Sequence, residues 1–325
     1  ILLLVVVLVL GALAGRESAT GPTVLRTESM MDTLITIKAW GPEEVSKVAV
    51  DRGFEVFRRL DRLASFHRED SELSQFNRHR TLAATASLSV LLDIAARSYQ
   101  QTTGVFDPTF AVLHRAYGFY DQRGRIPSEQ QLNEILAFVG WDKMVSRRDD
   151  GWHLASGALV DLGGVAGGYA VDQAAAIMRE SGCTAFLIDD AGDLWMEGTK
   201  PGSEPWKIMV RDPRGEQALA FVESAVPVAI STSGDYERFV EVDGRRICHI
   251  FVPSTGKSAD WYRSVTVVAS SSLAADTLST TLFAMPPGQA REWAEAHGVA
   301  ALFLPATGST WLSAAGTAWF THVVP

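Results

Sequence analysis

The most informative segment of the sequence is VDLGGVAGGYAVD, at residues 160–172. Val160 and Asp161 end a β-rich run, a glycine-rich turn follows, and residues 166–179 have the small and apolar pattern of a helix. The backbone N–H groups of such a turn and the positive end of the helix dipole favour an anion such as a diphosphate. The glycines do not have the order of a dinucleotide-binding or phosphate-binding loop. From these residues alone, a phosphate-binding turn and a plain tight turn remain equally open.

The sequence on either side of this stretch predicts two kinds of structure. The N-terminal side predicts one strand and then mainly helices, whereas the C-terminal side predicts short strands with helices between them. The predicted helices span residues 43–64, 87–101, 128–138, 166–179, 271–285 and 287–297. The predicted strands span residues 23–40, 143–147, 152–155, 184–188, 206–210, 228–231, 239–242, 245–252, 264–269, 299–304 and 318–324. We therefore expect an α+β fold with a mainly antiparallel sheet core, flanking helices and two closely packed halves.

Composition limits the classes of function. The chain has 325 residues, of which 47% are hydrophobic and 21% are charged, so it can bury a large core. No linker divides it, and we expect residues 21–325 to form a single domain. The formal net charge of −9 argues against nucleic acid as a partner, because binding to the phosphate backbone needs a positive field.

The N-terminal segment indicates export. Residues 1–15 are almost wholly aliphatic and end in Ala12-Leu13-Ala14, which resembles the apolar region and cleavage site of a secretory signal. We expect residues 1–20 to be a signal peptide or an N-terminal membrane anchor, with the protein in the periplasm or at the outer face of the cytoplasmic membrane. A cleaved signal and an anchor both remain open.

Two further segments carry candidate chemistry. Asp276 and Thr280 are four residues apart in a predicted helix, so a carboxylate and a hydroxyl share one helical face. Hard oxygen ligands of this kind suit Mg²⁺, although for these two residues taken alone a helix cap and a packed hydroxyl are the simpler interpretation. His249 lies in a strand-like run before a Pro-Ser-Thr-Gly turn, where a structural histidine is the simplest interpretation.

The order of these and other short segments resembles one known family. In chain order they are MDT at 31–33, SF at 65–66, DSELS at 70–74 with Asn77, GVFDPT at 104–109, the stretch at 160–172, SGDY at 233–236, HI at 249–250 with PSTG at 253–256, and ADTLST at 275–280. They resemble the patterns M-G-T, D-S-E-L-S-x-x-N, G-x-F-D-P-T, D-L-G-G-I-A-K-G-Y-A-V-D, S-G-D-Y, H-I-I-D-P-x-T-G and A-D-A-L-A-T of the FAD:protein FMN transferase (ApbE) family.

The resemblance implies an enzyme that uses Mg²⁺ and moves FMN from FAD onto a serine or threonine of an acceptor protein, with release of AMP. The acceptor would be an exported or membrane-bound flavoprotein of electron transport. The resemblance places the metal on Asp276, Thr280 and the backbone carbonyl of Gly164. It makes His249 the first candidate for the catalytic base and Asp235 the second. The implied FAD contacts are Met31, Phe66, Val105, Phe106, Asp107, Asp161, Gly167 and Ile250.

Several positions depart from the family pattern. Gly167 replaces a lysine, and Val252 replaces the aspartate of H-I-I-D-P. DDAGD at residues 189–193 replaces a segment closer to N-A-G-G-D. Two alternatives therefore remain: an FAD diphosphatase that yields FMN and AMP, and an exported FAD-binding protein without catalysis, which the loss of these polar groups favours.

Overall fold

The computed structural model describes residues 21–200, 205–215 and 217–324, so the predicted signal peptide or anchor at residues 1–20 lies outside the described part. Within that part, the helices are α1 (Glu43–Ala64), α2 (Glu72–His79), α3 (Ser89–Gln101), α4 (Ala111–Tyr117), α5 (Glu129–Leu136), α6 (Trp141–Met144), α7 (Gly163–Glu180), α8 (Ser272–Ala284) and α9 (Pro287–Ala296). The strands are β1 (Val24–Met30), β2 (Thr33–Trp40), β3 (Thr81–Ala83), β4 (Val145–Arg148), β5 (Gly151–Leu154), β6 (Ala185–Asp190), β7 (Asp193–Glu197), β8 (Trp206–Arg211), β9 (Ala218–Ser224), β10 (Val228–Gly234), β11 (Phe239–Val242), β12 (Arg245–Cys248), β13 (Tyr262–Ala269), β14 (Ala300–Pro305), β15 (Trp311–Leu312) and β16 (Phe320–Thr321).

A large sheet forms the centre of the fold. Its strand order is β1-β2-β6-β7-β10-β13-β14-β15, and every neighbouring pair is antiparallel. Successive side chains of β6 lie on opposite faces of the sheet. Phe186 and Ile188 pack in the core beneath the helices, and Leu187 packs in a second core. The prediction of an α+β fold with a mainly antiparallel sheet and flanking helices is confirmed.

Both faces of the central sheet are covered. Helices α1, α7 and α8 pack on one face, where Phe54, Val171 and Leu282 are fully buried. The small sheet β16-β9-β8 covers the other face, with Trp206 and Val222 among its buried side chains. Because both faces bury apolar side chains, several strands lack the strict polar alternation of a half-exposed sheet.

The strand predicted at residues 23–40 is wrong in one respect: it is a hairpin of two strands, β1 and β2. Met30 pairs with Thr33, and the turn residues Met31 and Asp32 have φ of 54° and 62°. Two consecutive left-handed residues form the tight turn that suits the twist of a hairpin. Glycine or asparagine is the usual signal for such a turn, and Met-Asp lacks it.

Other differences concern short elements. Strands β3, β7, β9 and β15 and helices α2, α4 and α6 were not predicted. The strand predicted at residues 318–324 is reduced to β16, whereas α1, α3, α5 and β11 lie close to the predicted ranges. None of the helices in the described ranges is both long enough and apolar enough to span a membrane.

Candidate functional site

The glycine turn before α7 is fixed by side chains from other predicted motifs. The Asn77 side-chain amide donates to the carbonyl of Val160 at 2.7 Å, and its oxygen accepts from the Val160 N–H at 2.8 Å. Asp161 accepts from the Gly163 N–H at 2.9 Å, and its own N–H donates to the Pro108 carbonyl at 2.9 Å. The motifs at residues 70–77, 104–109 and 160–172 therefore meet at the N-terminus of α7.

The turn at residues 104–109 packs directly against α7. A Cβ built on Gly164 would lie 2.8 Å from Cε2 of Phe106, so this approach requires glycine. Asp107 accepts from the Thr109 N–H at 2.9 Å and from the Thr109 hydroxyl at 2.7 Å, while burial raises its pKa. Phe106 therefore lies at the predicted FAD turn, and one carboxylate oxygen of Asp107 stabilises the backbone there.

Helices α7 and α8 cross at Gly168. A Cβ on Gly168 would lie 2.7 Å from the Cα of Leu273 and 2.8 Å from the Ser272 carbonyl oxygen. One turn further along, Asp172 accepts the N–H groups of Ser272 at 2.7 Å and Leu273 at 3.0 Å, and so caps the N-terminus of α8. This close crossing brings Asp276 of α8 next to the Gly168 N–H.

A cluster of buried carboxylates lies beside this crossing. Asp190 is 6% exposed and Asp276 is 9% exposed, and Asp193 lies next to them. Burial and then the negative charges of neighbouring carboxylates, Asp193 first among them, raise the pKa of Asp190 and of Asp276 well above its usual value. Burial and nearby carboxylates also raise the pKa of Asp193 to about 7. The sequence indicated Asp276 but not the part played by Asp190 and Asp193.

Gly167 faces the same carboxylates. A Cβ at this position would lie 3.2 Å from Oδ2 of Asp190 and 3.4 Å from Oδ2 of Asp193. The position at which the family pattern has a lysine is therefore adjacent to the segment at residues 189–193, which also departs from the pattern. The two departures from the family pattern are therefore neighbours in the structure. Glycine replaces the lysine, and the segment beside it has additional carboxylates.

Hydroxyl groups connect the cluster to strand β10. Ser231 donates to Oδ1 of Asp193, and the Ser233 hydroxyl is 2.8 Å from the Ser279 hydroxyl and 3.3 Å from that of Thr280. Thr280 lies one turn after Asp276 on α8, as predicted from their spacing. Among the described residues, no group of three or more His, Cys, Asp or Glu side chains is arranged to hold a metal ion. The predicted metal ligands are of another kind, because they combine a carboxylate with a hydroxyl and a backbone carbonyl oxygen.

Aromatic side chains lie at the Asp161 end of the site. The rings of Phe66 and Tyr120 are stacked, with centroids 4.1 Å apart and planes inclined by 14°. The Tyr120 hydroxyl donates to Oδ2 of Asp161 at 2.8 Å. Burial opposes ionisation of Asp161, but the charges of His114 and Arg238 and its hydrogen bonds hold its pKa below the usual range. Neither hydrophobic periodicity nor a motif indicates Tyr120 in the sequence.

His249 has a defined tautomer. Its Nδ1 is 3.0 Å from the carbonyl oxygen of Arg238, which can only accept, so Nδ1 carries the proton and Nε2 has the free lone pair. Burial, Arg238 and His114 lower the pKa of His249 to about 3, so the ring is neutral at pH 7. The His249 carbonyl in turn accepts from Nε2 of His114 at 2.8 Å. His114 was missed because a lone histidine on a helix has no distinctive spacing.

The remaining predicted residues have varied surroundings. Both carboxylate oxygens of Asp235 are bound by the guanidinium of Arg214, so Asp235 is engaged in an ion pair. Met31 lies in the hairpin turn, and the adjacent Asp32 is 3.5 Å from His67, the neighbour of Phe66. Val105 is half-buried and Ile250 is buried.

Two cavities lie elsewhere in the described structure. One, of about 420 Å³, is bordered by Pro227, His297 and Trp319, and the other, of about 270 Å³, separates α3 from α8. Neither is lined by a residue predicted to bind FAD or metal. Cavity size therefore does not identify the functional site, and the chemistry around α7 is the better guide.

Comparisons with known proteins agree with this geometry. The ApbE family matches residues 31–303. The FAD:protein FMN transferase of Escherichia coli K12 is 30% identical over 267 residues, which is 78% of this chain and 76% of that protein. The transferase of the same name from Haemophilus influenzae is 30% identical over 78% of each chain.

Solved structures show the same fold. The ApbE protein of Thermotoga maritima superposes with a TM-score of 0.84 at 29% identity, covering 91% of this chain and 98% of that one. The flavinyl transferase ApbE of Pseudomonas stutzeri gives a TM-score of 0.80 at 29% identity, covering 93% of this chain and 98% of that one. Because the family match extends over most of the chain and includes every motif that meets at α7, this protein belongs to the ApbE family.

Proposed function

We propose that this protein is an FAD:protein FMN transferase, which moves FMN from FAD onto a serine or threonine hydroxyl of an acceptor flavoprotein and releases AMP. The observation that carries the proposal is the convergence of three family motifs on the N-terminus of α7. The names of the similar proteins support the same reaction.

The residues present fit a bound Mg²⁺ ion. The proposed ligands are the Asp276 carboxylate, the Thr280 hydroxyl and the Gly164 carbonyl, all hard oxygen donors that leave places for water and phosphate oxygens. Burial and repulsion from nearby carboxylates raise the pKa values of Asp276, Asp190 and Asp193, and no basic side chain lowers them. A divalent cation would relieve this repulsion. When bound, it supplies charge neutralisation for the diphosphate.

The protein's own groups explain the other steps. The N-terminus of α7 and its glycine turn offer backbone N–H groups to the diphosphate. The acceptor hydroxyl attacks the FMN phosphorus, a new O–P bond forms, and the bond to the AMP oxygen breaks. Nε2 of His249 has the free lone pair that would take the hydroxyl proton. Its pKa of about 3 is low for a base, and the negative charge of the bound diphosphate would raise it.

The apolar segment at residues 1–15 supports export of the protein. We therefore propose that it acts on an exported or membrane-bound acceptor, in the periplasm or at the outer face of the cytoplasmic membrane.

AMP release tests the reaction class. The purified protein is incubated with FAD and Mg²⁺, with and without an acceptor peptide that contains a modifiable threonine, beside Asp276→Ala and the exposed control Asp149→Ala. A transferase releases AMP only with the peptide, and Asp276→Ala loses this while Asp149→Ala retains it. AMP without peptide would instead identify an FAD diphosphatase, and no AMP under any condition would leave a flavin-binding protein.

A further inference from the structure

Tyr120 engages Phe66 and Asp161, two residues that the resemblance to the ApbE family implies as FAD contacts. Its ring stacks on Phe66 at a centroid distance of 4.1 Å, which leaves no space for another ring between them. Its hydroxyl donates to Oδ2 of Asp161 at 2.8 Å. The Tyr120 side chain therefore covers one face of the Phe66 ring and also occupies one carboxylate oxygen of Asp161.

Hydrogen bonds hold the backbone at both partners of Tyr120. The Ser74 hydroxyl donates to the Phe66 carbonyl at 3.3 Å. The Asp161 carboxylate accepts from the Gly163 N–H, and the Asp161 N–H donates to the Pro108 carbonyl. Tyr120 belongs instead to residues 118–128, which contain no helix or strand and follow the left-handed cap Gly118 of α4. Phe66 and Asp161 also lie outside helices and strands, but they adjoin α1 and α7, whereas the segment after Tyr120 continues without helix or strand to residue 128.

We propose that Tyr120 is a gate of the flavin site: it occupies the face of Phe66 in the free protein and must leave Phe66 and Asp161 before the flavin ring can bind there. This proposal rests on the proposed function, because the ApbE family resemblance behind that function implies that Phe66 and Asp161 contact FAD. The apparent affinity for FAD is then reduced by the fraction of molecules in which Tyr120 is closed.

The chemistry of the closed state indicates which part of Tyr120 holds it. The stacked ring contributes a weak aromatic interaction, whereas the hydroxyl makes a hydrogen bond to an ionised carboxylate in a largely buried place. Burial and Asp161 raise the pKa of Tyr120, so its hydroxyl remains protonated and continues to donate at any pH at which the protein is studied. Removal of the hydroxyl alone should therefore open the gate.

The test compares FAD binding by the full-length protein with Tyr120→Phe and Tyr120→Ala, by stopped-flow flavin fluorescence in EDTA. Phe221→Ala, on β9 in the small sheet, is the control for truncation of a half-buried aromatic ring. We expect both Tyr120 variants to associate with FAD about tenfold faster, since one charge-assisted hydrogen bond is worth roughly that factor, and to bind at least as tightly. A merely structural role would not increase the rate.

Unchanged or slower association, or weaker binding, by either Tyr120 variant would overturn the gate, because it would make Tyr120 a wall of the site or an unrelated residue. The experiments distinguish failure of the gate proposal from failure of the proposed transferase reaction. FMN transfer with no effect of Tyr120 would reject the gate alone, whereas faster FAD binding without transfer would support the gate and reject the transferase. Absence of FAD binding by the protein and both variants would reject the two together.

Discussion

Gly167 lies against the carboxylate of Asp190, so close that a Cβ on the glycine would be 3.2 Å from Oδ2. The family pattern has a lysine at the glycine position. Without it, the carboxylates of Asp190 and Asp193 face one another with no neighbouring basic side chain that lowers their pKa values. The effect of these charges on the free energy of unfolding can therefore be measured without any substrate.

Gly167→Lys should stabilise the metal-free protein at pH 8 relative to Gly167→Gln. Both variants add a long side chain with the same tight Cβ contact, but only the lysine brings a positive charge to the carboxylates. The expected difference is about 1–2 kcal/mol in the free energy of unfolding. Urea unfolding in EDTA measures it, and equal stability of the two variants would show that the carboxylates are not mutually repelling.

Stability should also depend on pH when divalent cations are absent. The pKa of Asp193 is raised from 3.8 to about 7, so folding favours its protonated form. Its stabilisation is fully present below pH 3.8, the unfolded-state value, and is lost as pH rises through about 7. The loss is at most about 4 kcal/mol. Unfolding at pH 5 and pH 8 should show it, and Mg²⁺ or Asp189→Asn, which removes a carboxylate that raises the pKa of Asp193, should reduce it. A pH-independent free energy would contradict the prediction.

The fold could be predicted from hydrophobic periodicity wherever elements are long or flanked by clear signals. Helix α1 and strand β11 are examples, since both have regular patterns that end at recognisable turns. The β1–β2 hairpin could not be predicted, because Met31 and Asp32 adopt left-handed conformations without the usual glycine. Tertiary pairing in the sheet stabilises a turn that the local sequence does not favour.

The site was predicted in part. Motif order located the segments that meet at α7, but spacing along the chain does not report contacts between distant segments. Asp190, His114 and Tyr120 acquire their significance from such contacts: Asp190 from Gly167, His114 from the His249 carbonyl, and Tyr120 from Phe66. Whether His249, Asp276 and the other predicted residues have their assigned roles remains a prediction for the experiments.

Gly168→Ala should destabilise the protein because α7 and α8 touch backbone to backbone there. The new Cβ would lie 2.7 Å from the Cα of Leu273, a contact that no side-chain rotation can relieve. We expect a loss of about 1–3 kcal/mol. Gly288→Ala in α9 is the matched control, since its Cβ would meet nothing within 4 Å and alanine favours a helix. A loss no greater than that of the control would argue against the tight crossing.

His249→Ala should slow FMN transfer by about 10²–10⁴-fold while FAD still binds, because the variant removes the proposed proton acceptor. In the free protein the pKa of His249 is about 3, so kcat/KM should show no acidic limb near pH 6.5 from this residue. Steady-state rates from pH 5 to 8 measure both effects, with the exposed His79→Ala as the control. A transfer rate unaffected by His249→Ala would assign the proton to another group.

The most direct measurement is the mass of a threonine-containing acceptor peptide after incubation with the protein, FAD and Mg²⁺. A second peptide with alanine in place of that threonine controls for adsorbed flavin, and Asp276→Ala controls for the metal. The proposed transferase activity predicts a covalent gain of one FMN on the threonine peptide alone, lost in Asp276→Ala. An unmodified threonine peptide, with FAD consumed or merely bound, would contradict it.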